Sequence, residues 1–97
     1  MFPHADARAW FVGNDDLIAA TAMRNGSLQA AYFMIAARAM GLDCCPMSGF
    51  DAPAGDAAFF AGTTQTTNFI CALGHGAPTS IFPRSPRLAF EDACRII

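Results

Sequence analysis

The segment CPMSGFD, residues 45–51, is the clearest guide to how this chain folds, because it places a tight turn directly after an apolar segment. Pro46 fixes its own φ and has no N–H, and Gly49 accepts a positive φ or lets a planar ring approach the main chain. Asp51 is a capping residue type, which predicts that a helix begins directly after it. Such a turn presents main-chain amides to a ligand. The same residue types are also ordinary in a strand-to-helix connection that binds nothing, so both interpretations stay open.

The segment before this turn predicts one long helix over residues 15–40. Asn14 supplies a capping side chain at its start, followed by two acidic residues that favour a helix N-terminus. Gly26 is a weak point, because glycine costs about 1 kcal/mol relative to alanine inside a helix. Gly41 is expected to end the helix, since glycine adopts the left-handed conformation common at that position.

The second part of this helix, residues 28–40, is apolar on all sides. Its strongly polar residues, Gln29 and Arg38, lie on opposite sides of the helix, so neither defines a face in contact with water. The pattern predicts a helix that is buried all round. We favour the core of a dimer for this helix, and the centre of a single domain is the alternative.

After the turn, the sequence predicts a short helix and then a strand. Residues 52–60 form the helix, with Pro53 in its first turn and Gly62 beyond its end. Residues 66–73 are rich in β-branched and apolar residues and are flanked by turn formers, which predicts a strand buried on both faces.

The last segment carries two arginines on a stiff backbone at PRSPR, residues 83–87. Each proline restricts its own φ and biases the preceding residue away from helix. Arginine suits phosphate because its planar guanidinium offers a fork of donors. Arg84 and Arg87 are therefore candidate phosphate ligands, and a pair of solvated surface arginines is the alternative.

Composition limits the classes of function. The 97 residues fit one domain, yet 54% of them are hydrophobic and 14% are charged, against about 25% charged in typical domains. A small monomer with this surplus would expose large apolar patches, so we expect a homodimer or larger assembly.

The net charge of −2 argues against nucleic acid as a partner, and the absence of an apolar run of about 18 residues argues against a membrane partner. A cytoplasmic protein is expected. The four cysteines show no metal-site spacing and are interpreted as small buried hydrophobes, with a redox or metal role as the alternative.

Three segments together resemble the flavin-dependent nitroreductase family, closest to its malonic semialdehyde reductase branch. They are residues 27–51 (SLQAAYFMIAARAMGLDC followed by CPMSGFD), residues 67–76 (TNFICALGHG) and residues 82–88 (FPRSPRL). Family members begin with an Arg/Ser-rich segment that binds the flavin phosphate, and this sequence contains no such segment. We therefore interpret residues 1–97 as the C-terminal part of a single nitroreductase-like domain without its N-terminal half.

The resemblance implies FMN as the cofactor and NAD(P)H as the reductant, with ping-pong hydride transfer through flavin N5. It also implies the residues of the site. A main-chain N–H near Ser48 or Gly49 would bond flavin N5, Met47 would pack against the ring, and Arg84 and Arg87 would hold the phosphate. The implied cofactor-binding residues are Pro46, Met47, Ser48, Gly49, Arg84 and Arg87, with no catalytic side chain and no metal.

Two positions depart from the family pattern. His75 stands where the family usually has an aromatic residue, and we assign it no catalytic role, since a histidine between two glycines is typical of a turn. Cys45 replaces a glycine ahead of Pro46, where its side chain either crowds the flavin edge or points into the core. Both departures bear on the substrate rather than on the fold.

The predicted fold class is α+β, a long central helix with two or three short strands and a short helix. The expected function is that of an FMN-dependent NAD(P)H oxidoreductase fragment acting on a small aldehyde, similar to malonic semialdehyde, or on a nitro compound. The alternative is a non-catalytic truncated module that dimerises and binds no flavin.

Overall fold

The structure, a computed structural model, describes residues 3–97 and has an α+β architecture, as predicted. A short 3-10 turn at Ala7–Trp10 precedes the first helix, and another at Pro78–Ser80 follows the second strand. The remaining elements, in chain order, are helix α1 (Asp15–Ala39), strand β1 (Asp43–Met47), helix α2 (Ala52–Phe59), strand β2 (Ile70–Gly74) and helix α3 (Phe90–Ala93).

Helix α1 begins and ends where its local chemistry predicts. The Asn14 side chain accepts a hydrogen bond of 3.0 Å from the N–H of Leu17. At the other end, Gly41 has a φ of +84°, and the N–H of Leu42 donates to the carbonyl of Ala37 at 3.0 Å, which is the Schellman arrangement. The helix runs without a break through Gly26, so that glycine weakens the helix without ending it.

Helix α2 also follows the prediction. The Asp51 side chain caps it by accepting a hydrogen bond of 3.0 Å from the N–H of Ala54, and Pro53 lies in the first turn. Gly62, with a φ of +76°, turns the chain away beyond its end. Residues 45–47 belong to strand β1, so the predicted turn is confined to residues 48–50, which connect that strand to the capped helix α2.

Strands β1 and β2 form a two-stranded antiparallel sheet in which Asp43 pairs with Gly74 and Met47 with Ile70. The predicted strand over residues 66–73 starts too early. The Asp56 carboxylate binds both the main-chain N–H of Thr67, at 2.6 Å, and the Thr67 hydroxyl. The main chain at Thr67 is thereby tied to helix α2, and the ladder begins only at Ile70.

The molecule is open for its size. Its radius of gyration is 18.1 Å, whereas a compact chain of this length has about 13 Å. Its accessible surface is 8716 Å², whereas a compact protein of 10.3 kDa exposes about 5,400 Å². Much apolar surface of this chain is therefore uncovered.

The expectation that residues 28–40 are buried all round is wrong for the single chain. Ala37 is the one buried hydrophobic residue among those described, while Tyr32 is 73% exposed and Ile35 is 65% exposed. The reason is that strand β1 is the element that packs against α1, so most of the helix surface meets no other element. Strand β2 is likewise not buried on both faces. Within residues 3–97, none of the helices combines the length and the apolar character needed to cross a bilayer.

Candidate functional site

A surface cavity of about 350 Å³, open to solvent, lies where helix α1, the end of strand β1 and the segment before strand β2 meet. Its volume is within the usual range for ligand pockets, about 300 to 1,000 Å³. Three residues predicted for the site lie in its wall, namely Pro46, Met47 and Ser48. The other lining residues are Ser27, Met34, Asn68 and Phe69.

The sheet and the cap of α2 position the predicted residues. Pro46 pairs with Cys71 in the ladder, and Met47 makes the last pair, with Ile70. The chain then leaves the sheet and reaches Asp51, the cap of α2, within four residues. This short connection fixes the direction of the main chain at the rim of the cavity.

Gly49 leaves the main chain of this connection open to approach. A side chain placed there would find no atom within 4 Å of its Cβ. Gly49 does not have a positive φ, unlike Gly41 and Gly62, so an unusual backbone conformation does not explain the glycine. Of the two roles predicted for Gly49, the structure is compatible with the close approach of a planar group.

Sequence reasoning missed two polar residues of the cavity. The side-chain N–H of Asn68 donates a hydrogen bond of 2.9 Å to the hydroxyl of Ser27, across 41 positions of sequence. This bond ties the segment before β2 to the middle of α1 and closes one side of the cavity. The available signal was an amide residue near the start of an apolar strand, which by itself does not identify the residue that it bonds to.

The two arginines are not part of this cavity wall. Arg84 and Arg87 lie in a segment without regular secondary structure, and both are exposed. The guanidinium of Arg87 donates to main-chain carbonyls of its own segment, those of Ser85 at 2.9 Å and Pro86 at 3.2 Å. The structure brings Pro46, Met47 and Ser48 together with Gly49 beside them, and it does not bring the arginines to them. Phosphate contact by Arg84 and Arg87 stays a prediction.

A second group of polar residues lies at the other end of the sheet. The Asp43 carboxylate forms an ion pair with Arg38 and accepts a hydrogen bond of 2.7 Å from the N–H of Gly76. The bond from Gly76, aided by the Arg38 guanidinium, holds the pKa of Asp43 below its usual value. His75 lies beside this carboxylate and lines a shallow groove with Cys45 rather than the cavity around Pro46. The absence of a catalytic role for His75 stays a prediction.

The donor set limits what the site can do. In the part of the chain that the structure describes, His, Cys, Asp and Glu side chains nowhere gather in a group of three that could hold a metal ion. The cavity wall is mostly apolar, with Ser27, Ser48 and Asn68 as its polar side chains. Such a wall fits a planar, largely apolar group with a polar edge, which describes a flavin ring.

Comparison with known proteins gives a consistent family assignment. The profile of the nitroreductase family matches residues 1–80. A Burkholderia lata protein provisionally named NADH dehydrogenase/NAD(P)H nitroreductase is 62% identical over 96 residues, which are 99% of this chain and 49% of that protein. Proteins with the same provisional name from Ralstonia pickettii (HadB) and Xanthomonas oryzae pv. oryzae are 62% and 59% identical, over 50% and 48% of their lengths.

The chain thus spans about half the length of the curated relatives it matches. The malonic semialdehyde reductase branch stays a prediction, because the names of these relatives refer to nitroreductases. Since the family profile covers most of the chain and the predicted α+β elements are present, the chain belongs to the nitroreductase family.

Proposed function

We propose that this chain is part of an FMN-dependent NAD(P)H oxidoreductase that reduces a small aldehyde, similar to malonic semialdehyde, or a nitro compound. The observation that supports this most directly is the open main chain at Gly49, next to a cavity walled by Pro46, Met47 and Ser48. Family membership and the provisional names of the relatives point the same way. A cytoplasmic location remains part of the proposal.

The chain's own residues would bind and orient the cofactor. Hydride transfer from NAD(P)H to the acceptor is the chemistry that FMN supplies when bound. The main-chain N–H of Ser48 or Gly49 would donate to the polar edge of the ring, and Met47 would pack against the ring and exclude water. Arg84 and Arg87 would donate to the phosphate, provided that their segment folds toward the cavity.

We also propose that the protein works as a homodimer. The surface in excess of a compact chain is about 3,300 Å². A specific interface needs about 1,000 Å² or more of buried surface, so the uncovered area is sufficient for one. Helix α1 carries much of the exposed apolar surface, including Leu28, Phe33 and Ile35.

A second candidate function is a non-catalytic module that dimerises without flavin. The observation that favours it is the separation of the parts of the predicted site. Pro46, Met47 and Ser48 line the cavity, whereas Arg84 and Arg87 lie exposed outside its wall. A chain that keeps the family core but cannot bring its arginines to the ring would hold FMN poorly.

Flavin titration separates the two functions. The 97-residue chain would be compared with the same chain joined behind the first half of the Burkholderia lata relative. We expect weak or undetectable FMN binding by the chain alone, and stoichiometric FMN with NAD(P)H oxidation for the joined protein. If the joined protein is folded by circular dichroism but remains colourless, the non-catalytic module is the better description. Tight binding of FMN by the chain alone would show that these 97 residues contain most of the site.

A further inference from the structure

Cys44 and Cys71 lie on the same face of the two-stranded sheet. In the register, Cys44 is paired with Leu73 and Cys71 with Pro46, so the two cysteines are diagonal neighbours across the strands. Paired residues project to the same side, and side chains two positions apart along a strand share a face. The Cys44 thiol is half-buried toward helix α1, where it donates to the carbonyl of Met34 at 3.7 Å.

The Cys71 thiol lies near enough to Cys44 to contribute to the raised pKa of the Cys44 thiol. The Cys71 thiol itself donates to the carbonyl of Ala72 at 3.7 Å. The other two cysteines are placed differently: Cys45 projects to the opposite face of the sheet, and Cys94 lies in the C-terminal segment at the end of α3. All four are free thiols, and none of them is buried, so the expectation of small buried hydrophobes is wrong for the single chain.

We propose that Cys44 and Cys71 form a redox-modifiable pair that a peroxide converts into a disulfide across strands β1 and β2. Two thiols and one hydrogen peroxide give one disulfide and two water molecules. The O–O bond and two S–H bonds break, the S–S bond forms, and two electrons pass from sulfur to oxygen.

The order of the two steps follows from the environments of the thiols. Burial, together with the neighbouring Cys71 thiol, raises the pKa of Cys44, which makes Cys44 a slow first target because the thiolate is the reactive form. Cys71 is therefore the expected site of the first oxidation, to a sulfenic acid with release of water. The sulfur of Cys44 then attacks the Cys71 sulfur, and the departing hydroxide takes up the proton as the second water.

The disulfide would require a small movement of the sheet. Diagonal neighbours have Cα atoms about 7 to 8 Å apart, whereas disulfides usually join Cα atoms about 4.4 to 6.8 Å apart. Closure therefore shortens the distance between the two Cα atoms by about 1 to 2 Å, which a sheet of two strands permits. The bond would be easily reduced, as strained disulfides are. Because Pro46 is the ladder partner of Cys71 and lines the cavity, the modification lies beside Pro46 on the same face of the sheet.

The test is disulfide mapping on the 97-residue chain, which needs no flavin and so does not depend on the proposed function. The reduced chain is treated with hydrogen peroxide, its remaining thiols are alkylated, and it is cleaved with chymotrypsin after Leu42, Phe50, Phe69 and Leu73. We expect a linked pair of peptides, residues 43–50 with residues 70–73, that separates with dithiothreitol. The count of free thiols should fall from four to two.

Four serine variants assign the bond. Cys45→Ser and Cys94→Ser should form the linked peptides as the unaltered chain does, and Cys44→Ser and Cys71→Ser should not. If Cys44→Ser or Cys71→Ser fails to fold, the linked peptides from Cys45→Ser alone still decide the assignment, because 43–50 then contains one cysteine. Sulfinic or sulfonic acids without the link, or links that use Cys45 or Cys94 equally, would overturn the proposal.

Discussion

Asp43 joins three parts of the molecule through one carboxylate. It pairs with Arg38 of helix α1, begins strand β1, and accepts the N–H of Gly76 from the loop after strand β2. The Arg38 guanidinium also donates to the carbonyl of Leu42 at 3.2 Å, which closes the connection between helix and strand. A single ionised side chain thus holds the helix end, the strand and the loop together.

The ionisation of Asp43 gives a prediction about pH. Its pKa is lowered in the folded chain, mainly by the hydrogen bond from Gly76 and also by Arg38. A lowered carboxyl pKa contributes stability that is present above the unfolded value of about 3.9 and is lost as pH falls below it. We expect Asp43→Asn to be less stable than the unaltered chain at pH 7, with the difference shrinking below about pH 4. Urea midpoints at both pH values measure this, with Asp92→Asn as a control, and an unchanging difference would contradict it.

The arginines give a residue-scale prediction that depends on the proposed function. In the joined protein, replacing Arg84 or Arg87 by alanine removes charge-assisted hydrogen bonds worth roughly 1.5 to 3 kcal/mol each. FMN affinity should fall about tenfold to a hundredfold, while riboflavin affinity changes little. Fluorescence titration with both ligands measures this, and Arg24→Ala serves as the control. Equal losses for FMN and riboflavin would mean that the arginines stabilise the fold.

At the scale of elements, two glycines affect the stability of α1 in opposite ways. One lies inside the helix and the other directly follows its C-terminal end. Gly26 lies inside the helix, and a Cβ there would meet the Asn68 side chain at 3.9 Å, an ordinary contact. Gly26→Ala should therefore stabilise the chain by about 1 kcal/mol.

Gly41 has a φ of +84°, so Gly41→Ala should destabilise the chain by about 1 to 2 kcal/mol. Urea unfolding followed by circular dichroism measures the stability of both variants. A loss of stability in Gly26→Ala would show that a Cβ at position 26 clashes with the Asn68 side chain.

The same elements show what the sequence could and could not predict. The ends of α1 and α2 depend on residues within a few positions, such as Asn14, Gly41 and Asp51, and these were predicted correctly. The start of β2 depends on Asp56, a carboxylate eleven positions before Thr67, and no local pattern reveals that bond.

The residues of the candidate site fall into the same two groups, those that a local motif predicts and those that only the folded chain brings together. Pro46, Met47 and Ser48 are consecutive, so one motif identified them together. Ser27 and Asn68 meet only in the folded chain, and no period or spacing relates them. Residues 28–40 are not covered within the single chain for a further reason: composition records how much apolar surface a chain has, but not whether the same chain covers it.

At the scale of the whole molecule, the uncovered apolar surface leads to the expectation of a homodimer. We expect sedimentation of the chain at micromolar concentration to show a dimer or larger species. A well-folded monomer under these conditions would contradict the proposal.

A pair of glutamate variants tests whether α1 forms the interface. Ala31 is exposed in the single chain, so Ala31→Glu should leave the helix content of the monomer unchanged. In a dimer interface an unpaired carboxylate would cost several kcal/mol, which is enough to shift the species to monomer. Ala37 is buried within the chain, so Ala37→Glu should instead lower the unfolding midpoint at every protein concentration. If Ala31→Glu sediments as the unaltered chain does, α1 has a face that remains in water, and the interface must be sought on the sheet or the C-terminal segment.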